Sequence, residues 1–328
     1  MTGRALVLGG TGHLGAAIAR SLAGAGWEVT ASGRQAIARP NLTGTGVSIV
    51  TGDDGLPSCL EAWVQGRDLV VDAATPYPVD LYSRRSGDPV GAARIRIRRV
   101  LDAVRRQEAG FVHVSSFTTL PLPDTASPGA ALRHGLLQGS HPYFRLKAEV
   151  EAEVRAALDA GMPGTIVLPA ACYGPYDMKP RRATFIPSLV AGDVSVIVRR
   201  RINVLDVRDL GDVVAALVAR GLTQRHVPVF GHDVCVASFC DQVCRIAGVP
   251  SPAIAVPSVF GAVGSYWFET LCAMSGRAAP WPSLPALLVQ AGHPARPSPG
   301  QLAVQERLRP LETTLLDALE WYRSIGYI

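Results

Sequence analysis

The chain has 328 residues, 48% of them apolar and 18% charged, and a formal net charge of +5. This composition excludes a disordered polymer, and the length suits two hydrophobic cores. The arginines stand in short clusters (Arg98-Arg99, Arg105-Arg106, Arg181-Arg182, Arg199-Arg200-Arg201) without interleaved aromatics, so solvated faces explain the charge better than a nucleic-acid groove.

Short apolar runs predict strands at 5–8, 27–31, 47–50, 69–73, 111–115 and 165–168. Helical patterns separate most of them, which predicts an α/β fold with a parallel, doubly wound sheet. After Leu168 the alternation weakens and proline becomes frequent. The expected division is a dinucleotide-binding unit over 1–170, with 202–231 returning to it. Most of 171–328 then forms a smaller substrate-binding unit.

Between the first strand and a helical pattern (Leu14, Ala17, Ile18, Leu22) stands Gly9-Gly10-Thr11-Gly12-His13-Leu14-Gly15. Gly9 permits a tight turn, Gly12 lets the backbone approach a pyrophosphate, and Gly15 lets helix and strand pack closely. Free N–H groups and the dipole at the helix N-terminus favour the phosphates. The spacing is G-x-x-G-x-x-G instead of the commoner G-x-G-x-x-G. Its place between strand and helix predicts a Rossmann dinucleotide site built from Gly9, Thr11, Gly12, His13, Leu14 and Gly15.

NAD-selective sites carry Asp or Glu at the end of the second strand, to bind the ribose 2′-hydroxyl. This chain reads Val29-Thr30-Ala31-Ser32-Gly33-Arg34 there, with no carboxylate. Ser32 offers a hydroxyl and Arg34 a planar fork that suits a phosphate, so NADP(H) is expected over NAD(H).

Phe111-Val112-His113-Val114-Ser115-Ser116 reads as a buried strand whose hydroxyls emerge at the carboxyl edge of the sheet. Residues 117–141, rich in Pro, Gly, Ser and His, predict a long functional loop, a lid over the substrate. Tyr143 and Lys147 follow one turn apart, and Lys147 is one of only two lysines in the chain. An ammonium beside a phenol favours the phenolate, and a tyrosine so tuned can exchange a proton with a carbonyl or alcohol oxygen.

A glycine loop, strand-end serines and Y-x-x-x-K in this order resemble the extended branch of the short-chain dehydrogenase/reductase superfamily, of NAD-dependent epimerase/dehydratase type. Val71-Asp72-Ala73-Ala74, Tyr173-Gly174-Pro175 and Leu205-Asp206-Val207-Arg208-Asp209 extend the resemblance over nearly the whole chain. The ending, RLRPLETTLLDALEWYRSIGYI, is similar to dihydroflavonol-reductase-like members. The resemblance implies Tyr143 as general acid/base, Lys147 binding the nicotinamide ribose and lowering the phenol pKa, and Ser116 hydrogen-bonding the reacting oxygen. Ser116 is preferred to Ser115, and Thr118 is a weaker candidate that would face the substrate. Ala73, Ala74 and Pro169 are implied at the cofactor and Tyr173 at the substrate. Asp53 stands either beside the adenine or in a plain turn.

The departures narrow the chemistry. Phe117 and Thr118 follow Ser116 where nucleotide-sugar dehydratases place an acidic pair. Leu168 and Ala171 occupy positions where sugar-nucleotide enzymes commonly present Arg and Asn. Ala93-Arg94-Ile95-Arg96-Ile97 replaces an Asn-x-x-Gly-Thr helix entry. The expected activity is NADP-dependent reduction or oxidation of a small, fairly apolar ketone or alcohol. The alternatives are a sugar or sugar-nucleotide epimerase with tightly held NAD(P), and a non-catalytic dinucleotide sensor.

Further expectations concern the surroundings. His232, Cys235, Cys240 and Cys244 lack zinc-knuckle spacing, so the cysteines are expected as helix core and no metal is expected. Residues 246–268 are uncharged but interrupted by three prolines (Pro250, Pro252, Pro257), which excludes a membrane span. With 281–292 they are expected to wall an apolar substrate or meet a partner. Six cysteines and a first strand beginning at Arg4 lead to the expectation of a cytoplasmic protein. Asp209 is expected to cap the helix that follows it, and an arginine-rich helix at 90–106 to pair in a homodimer with Glu149, Glu151 and Glu153.

Overall fold

A computed structural model describes residues 3–34, 40–74, 88–120, 141–179, 184–275 and 308–328. The strands are β1 (Arg4–Leu8), β2 (Glu28–Gly33), β3 (Ser48–Thr51), β4 (Leu69–Asp72), β5 (Gly110–Val114), β6 (Gly164–Pro169), β7 (Ala171–Tyr173), β8 (Val196–Arg199), β9 (Arg201–Asp206), β10 (His226–Val229), β11 (His232–Cys235) and β12 (Ile254–Pro257). The helices are α1 (His13–Gly24), α2 (Pro57–Val64), α3 (Pro89–Arg106), α4 (Pro142–Asp159), α5 (Phe185–Val190), α6 (Val207–Ala219), α7 (Val236–Ala247), α8 (Ser258–Met274) and α9 (Leu311–Ser324).

A seven-stranded parallel sheet in the order β3-β2-β1-β4-β5-β6-β10 forms the centre, and it contains all six predicted strands. From β1 the chain works outward through β2 and β3, then crosses to β4 on the other side. The direction reverses between β1 and β4, and the carboxyl ends of these neighbours open a crevice there. Both faces of the sheet are covered, which explains apolar runs without alternation. Ala5 and Val7 pack with Ile18, Leu22, Val213 and Leu217 on one face. Leu6 and Leu8 pack with Ile97, Leu101, Leu146 and Val150 on the other.

The return to the sheet starts later than expected. β9 pairs with β7 and β11 in a separate three-stranded sheet, and only α6, packed on α1, and β10, paired with β6, rejoin the centre. A third core gathers Ile186, Val204, Phe239, Leu315 and Leu319. Cys240 and Cys244 are buried in it beside Val236 and Val243, as small apolar residues.

Residues 246–268 run through the end of α7, β12 and the start of α8, and no helix among the described residues is long and apolar enough to cross a membrane. Val259, Phe260, Val263 and Trp267 of α8 are exposed. The segment 281–292 and residues 121–140 of the expected lid lie outside the described residues.

One expectation needs correction. The cap of α6 is Asp206, whose carboxylate accepts from Arg208 N at 2.8 Å, because the helix begins directly after β9. Asp209 sits in the first turn and instead accepts from the backbone N–H of Arg309 at 3.0 Å. The charges assigned to a dimer contact are paired within the chain: Arg94 meets Glu149 at 3.3 Å and Glu153 at 2.9 Å, and Arg98 meets Glu153 at 2.5 Å. The apolar stripe of α3, with Val90, Ala93, Ile97, Leu101 and Val104 all buried, faces the sheet.

Candidate active site

All strands of the central sheet point the same way, so the loops leaving β1, β2, β4, β5 and β6 meet along one edge. Gly9 turns there with φ +70°, and a Cβ on it would lie 2.8 Å from Cα of Ala74 and 2.9 Å from the Ala73 carbonyl oxygen. Only glycine fits. Ala73 and Ala74 thus form the far wall of the glycine turn. Gly15 backs against the same turn, since a Cβ would come 2.2 Å from the Gly9 carbonyl oxygen. Gly12 is exposed and caps α1 without a side-chain bond, leaving the N–H groups of His13, Leu14 and Gly15 at the helix mouth.

Ser32 closes the turn from behind: its buried hydroxyl accepts from Gly9 N at 3.1 Å. Gly33 ends β2 under Thr11, where a Cβ would meet Thr11 Oγ1 at 2.4 Å. Arg34 follows and is exposed. Asp53 is exposed too and caps its own turn, accepting from Gly55 N at 2.9 Å. The neighbouring Asp54 is the one that pairs with a cation, Arg96.

His13 is the first residue of α1 and is buried. Burial pushes its imidazole down to about 4 against the pull of Asp177, whose Oδ2 lies 3.7 Å from Nδ1. Its Nε2 has no partner among the described residues, and neither has the buried Oδ1 of Asn41. Asn41 was not foreseen. Its side-chain amide donates to the Thr11 carbonyl at 3.1 Å and to the Tyr176 carbonyl at 3.4 Å, tying the glycine loop to the segment after β7. A glycine cradle at a helix mouth with orphaned buried polar atoms beside it fits a dinucleotide.

The hydroxyls assemble at the end of β5. Tyr143 donates to Ser116 Oγ at 3.2 Å, Thr118 Oγ1 donates to the same oxygen at 3.0 Å, and Thr118 N–H donates to it at 3.2 Å. Ser116 Oγ has two lone pairs for these three contacts, so it accepts from Thr118 N–H and one hydroxyl, and its own proton is shared between the other hydroxyl and any oxygen bound there. Tyr143 is presented at the start of α4, which Pro142 opens and His141 caps, Nδ1 accepting from Tyr143 N at 3.1 Å. Lys147 is buried and donates to the carbonyls of Val114 at 3.3 Å and Ser115 at 3.4 Å.

The electrostatics differ from the expectation. Burial pushes the Tyr143 phenol up to about 12, against the hydroxyl bonds from Ser116 and Thr118, and Lys147 is not among the groups that shift it. Burial also brings Lys147 down to about 8, although Asp72 and Glu151 support its charge. Asp72 is wholly buried, bonded to Arg96 at 2.8 Å and to His113 Nδ1 at 3.1 Å, and against the effect of burial the Arg96 charge and these hydrogen bonds hold its carboxyl far below the usual range. Arg96, which stands in the altered helix entry, thus serves as a buried counter-ion.

Tyr173 is not brought to the hydroxyls. Its ring packs 4.9 Å from that of Phe239 and 6.4 Å from that of Phe185, in the third core. Strand alternation turns Cys172 the other way, into the core of the central sheet. Pro169 ends β6 opposite Val229 and is buried.

The profile of the NAD dependent epimerase/dehydratase family matches residues 5–228. A Synechocystis sp. protein assigned as a dihydroflavonol 4-reductase is 26% identical over 98% of this chain and 95% of its own length. Sterol demethylase protein B of Methylococcus capsulatus is 27% identical over 77% of each chain. UDP-glucose 4-epimerase from Bifidobacterium longum, solved with NAD+ and UDP, superimposes with a TM-score of 0.73 at 16% identity, covering 99% of both chains, and so has the same fold. The family match spans the glycine loop, the strand-end serines and the Tyr143–Lys147 helix together: the chain belongs to the NAD dependent epimerase/dehydratase family, the extended short-chain dehydrogenase/reductases, and is an oxidoreductase-type enzyme.

Proposed function

We propose that the protein is an NADP-dependent reductase of a small, fairly apolar ketone, or the dehydrogenase of the corresponding alcohol. The observation that carries this reading is the Tyr143–Ser116 hydrogen bond of 3.2 Å inside a buried cluster of hydroxyls. A phenol raised to about 12 is protonated across the neutral range, as a donor to a carbonyl oxygen must be. Ser116 donates a hydrogen bond to the same oxygen and orients it, and Thr118 steadies Ser116. Lys147 holds the nicotinamide ribose, the glycine loop and His13 hold the pyrophosphate, and Arg34 holds the 2′-phosphate. When bound, the nicotinamide supplies or accepts the hydride.

The kinship with a protein assigned as a reductase and with sterol demethylase protein B supports an apolar carbonyl substrate. The likeness to a UDP-glucose 4-epimerase keeps epimerisation as the second reading, in which cofactor is neither consumed nor released. Loss of NADPH absorbance with a panel of carbonyl compounds tests the first reading. Turnover of a sugar nucleotide with cofactor retained would favour the second. Six free cysteines support a reducing compartment, the cytoplasm.

A further inference from the structure

Glu151 lies one turn beyond Lys147 on α4, is 1% exposed, and takes no part in the proton transfer described above. A buried carboxylate is costly unless fully bonded. Here both oxygens are engaged. Oε2 accepts from Ser115 Oγ at 2.5 Å and from Thr119 Oγ1, and Oε1 meets His226 Nε2 at 3.0 Å and Arg155 at 2.6 Å. Ser115 and Thr119 flank the two residues, Ser116 and Thr118, that meet Tyr143. The carbonyl of Ser115 is also a seat of the Lys147 ammonium. One carboxylate thus touches the turn after β5, the edge strand β10 and the helix that carries Tyr143 and Lys147.

We propose that Glu151 is a positioning residue: it locks the turn bearing Ser116 and Thr118 onto the helix bearing Tyr143 and Lys147, and acts as a buried counter-charge for Lys147. This rests on the site reading above. A neutral amide at this position keeps the shape and one acceptor oxygen for the turn but loses the charge, so the exchange removes a counter-charge outright while a bond to the turn can remain. The charged and titratable groups around it are Lys147 and Arg155 on α4 and the imidazole of His226 on β10, while Asp72 and Arg96 act on Lys147 from β4 and α3. The bonds from His226, Ser115 and Thr119 hold Glu151 down to about 2 against the effect of burial, so it is ionised wherever Lys147 titrates.

The chain has two lysines, Lys147 and Lys179, so lysine carbon resonances read the ammonium directly and without a substrate. In full-length protein with ¹³C-labelled lysine, Lys147→Arg assigns the signals. Glu151→Gln removes the charge and keeps the shape. It is expected to move the Lys147 titration down by at least about half a unit while Lys179 stays. NADPH, used as the probe, should lose affinity on going from pH 6 to pH 8 more steeply in Glu151→Gln than in wild type.

If Glu151→Gln does not fold, the paired variants Ser115→Ala and Thr119→Val test the lock with the charge retained. Amide exchange of Thr118 should rise about tenfold or more in the double variant, while the Lys147 titration stays. An unmoved Lys147 titration and an unchanged NADPH pH profile in folded Glu151→Gln overturn the counter-charge. Unchanged Thr118 exchange in the double variant overturns the lock. Retained activity in Tyr143→Phe would overturn the site reading instead, an outcome distinct from both.

Discussion

Ser115 and Ser116 are neighbours in the chain and serve opposite sides of the strand end. Ser115 Oγ donates to Glu151 at 2.5 Å, and Ser116 Oγ accepts from Tyr143 at 3.2 Å. Successive side chains of an extended segment point in opposite directions, so only one of two adjacent serines can face the reacting oxygen. Ser116→Ala is expected to lower kcat by ~10²-fold with NADPH affinity unchanged. Ser115→Ala is expected to lower thermal stability, with a smaller loss of kcat than Ser116→Ala. Steady-state kinetics and melting curves of the two variants distinguish the roles.

Tyr143→Phe removes the proton donor and keeps the ring that packs edge-on to Phe144. Turnover should fall ~10²–10⁴-fold while NADPH binds nearly as in wild type. Lys147→Ala should impair both. Fluorescence titration with NADPH beside initial rates checks the contrast, and activity within a few-fold of wild type in Tyr143→Phe would sink the assignment.

Arg34 is exposed beside Gly33, where the structure admits no side chain without displacing Thr11. Arg34→Ala should weaken NADPH binding roughly 10- to 150-fold by removing one charge-assisted contact, and leave NADH binding unchanged. Gly33→Asp, which would give the acid of NAD-selective sites, should weaken both cofactors because its Cβ strikes Thr11. Calorimetric titration of both cofactors reads both variants. Equal losses in Arg34→Ala would refute the phosphate contact.

His13 makes stability depend on pH. Its folded pKa of about 4 lies below the ordinary 6.5, so between these values the unfolded chain takes up a proton that the folded chain refuses. Stability should therefore fall as pH drops from about 6.5 toward 4 and be unaffected by this group above that window. His13→Gln should flatten the dependence between pH 7 and pH 5, as read from urea midpoints at fixed salt.

Much was legible without coordinates, because local chemistry specifies it. The apolar runs of β1, β4, β5 and β6 could be read as buried strands, since a sheet covered on both faces needs them. The Gly9 turn could be read because its positive φ admits only glycine, and the Tyr143–Lys147 pair because helical spacing is fixed. Tertiary structure decided what depends on residues distant in sequence. It sent Glu151 to Ser115 and His226, gave Arg96 its partner Asp72, and spent the α3 arginines on glutamates of the same chain. It placed Tyr173 in an aromatic core and brought unheralded Asn41 to the glycine loop. It also set the direction of the Tyr143 and Lys147 shifts, because burial outweighed every nearby charge and burial is a property of the packed molecule.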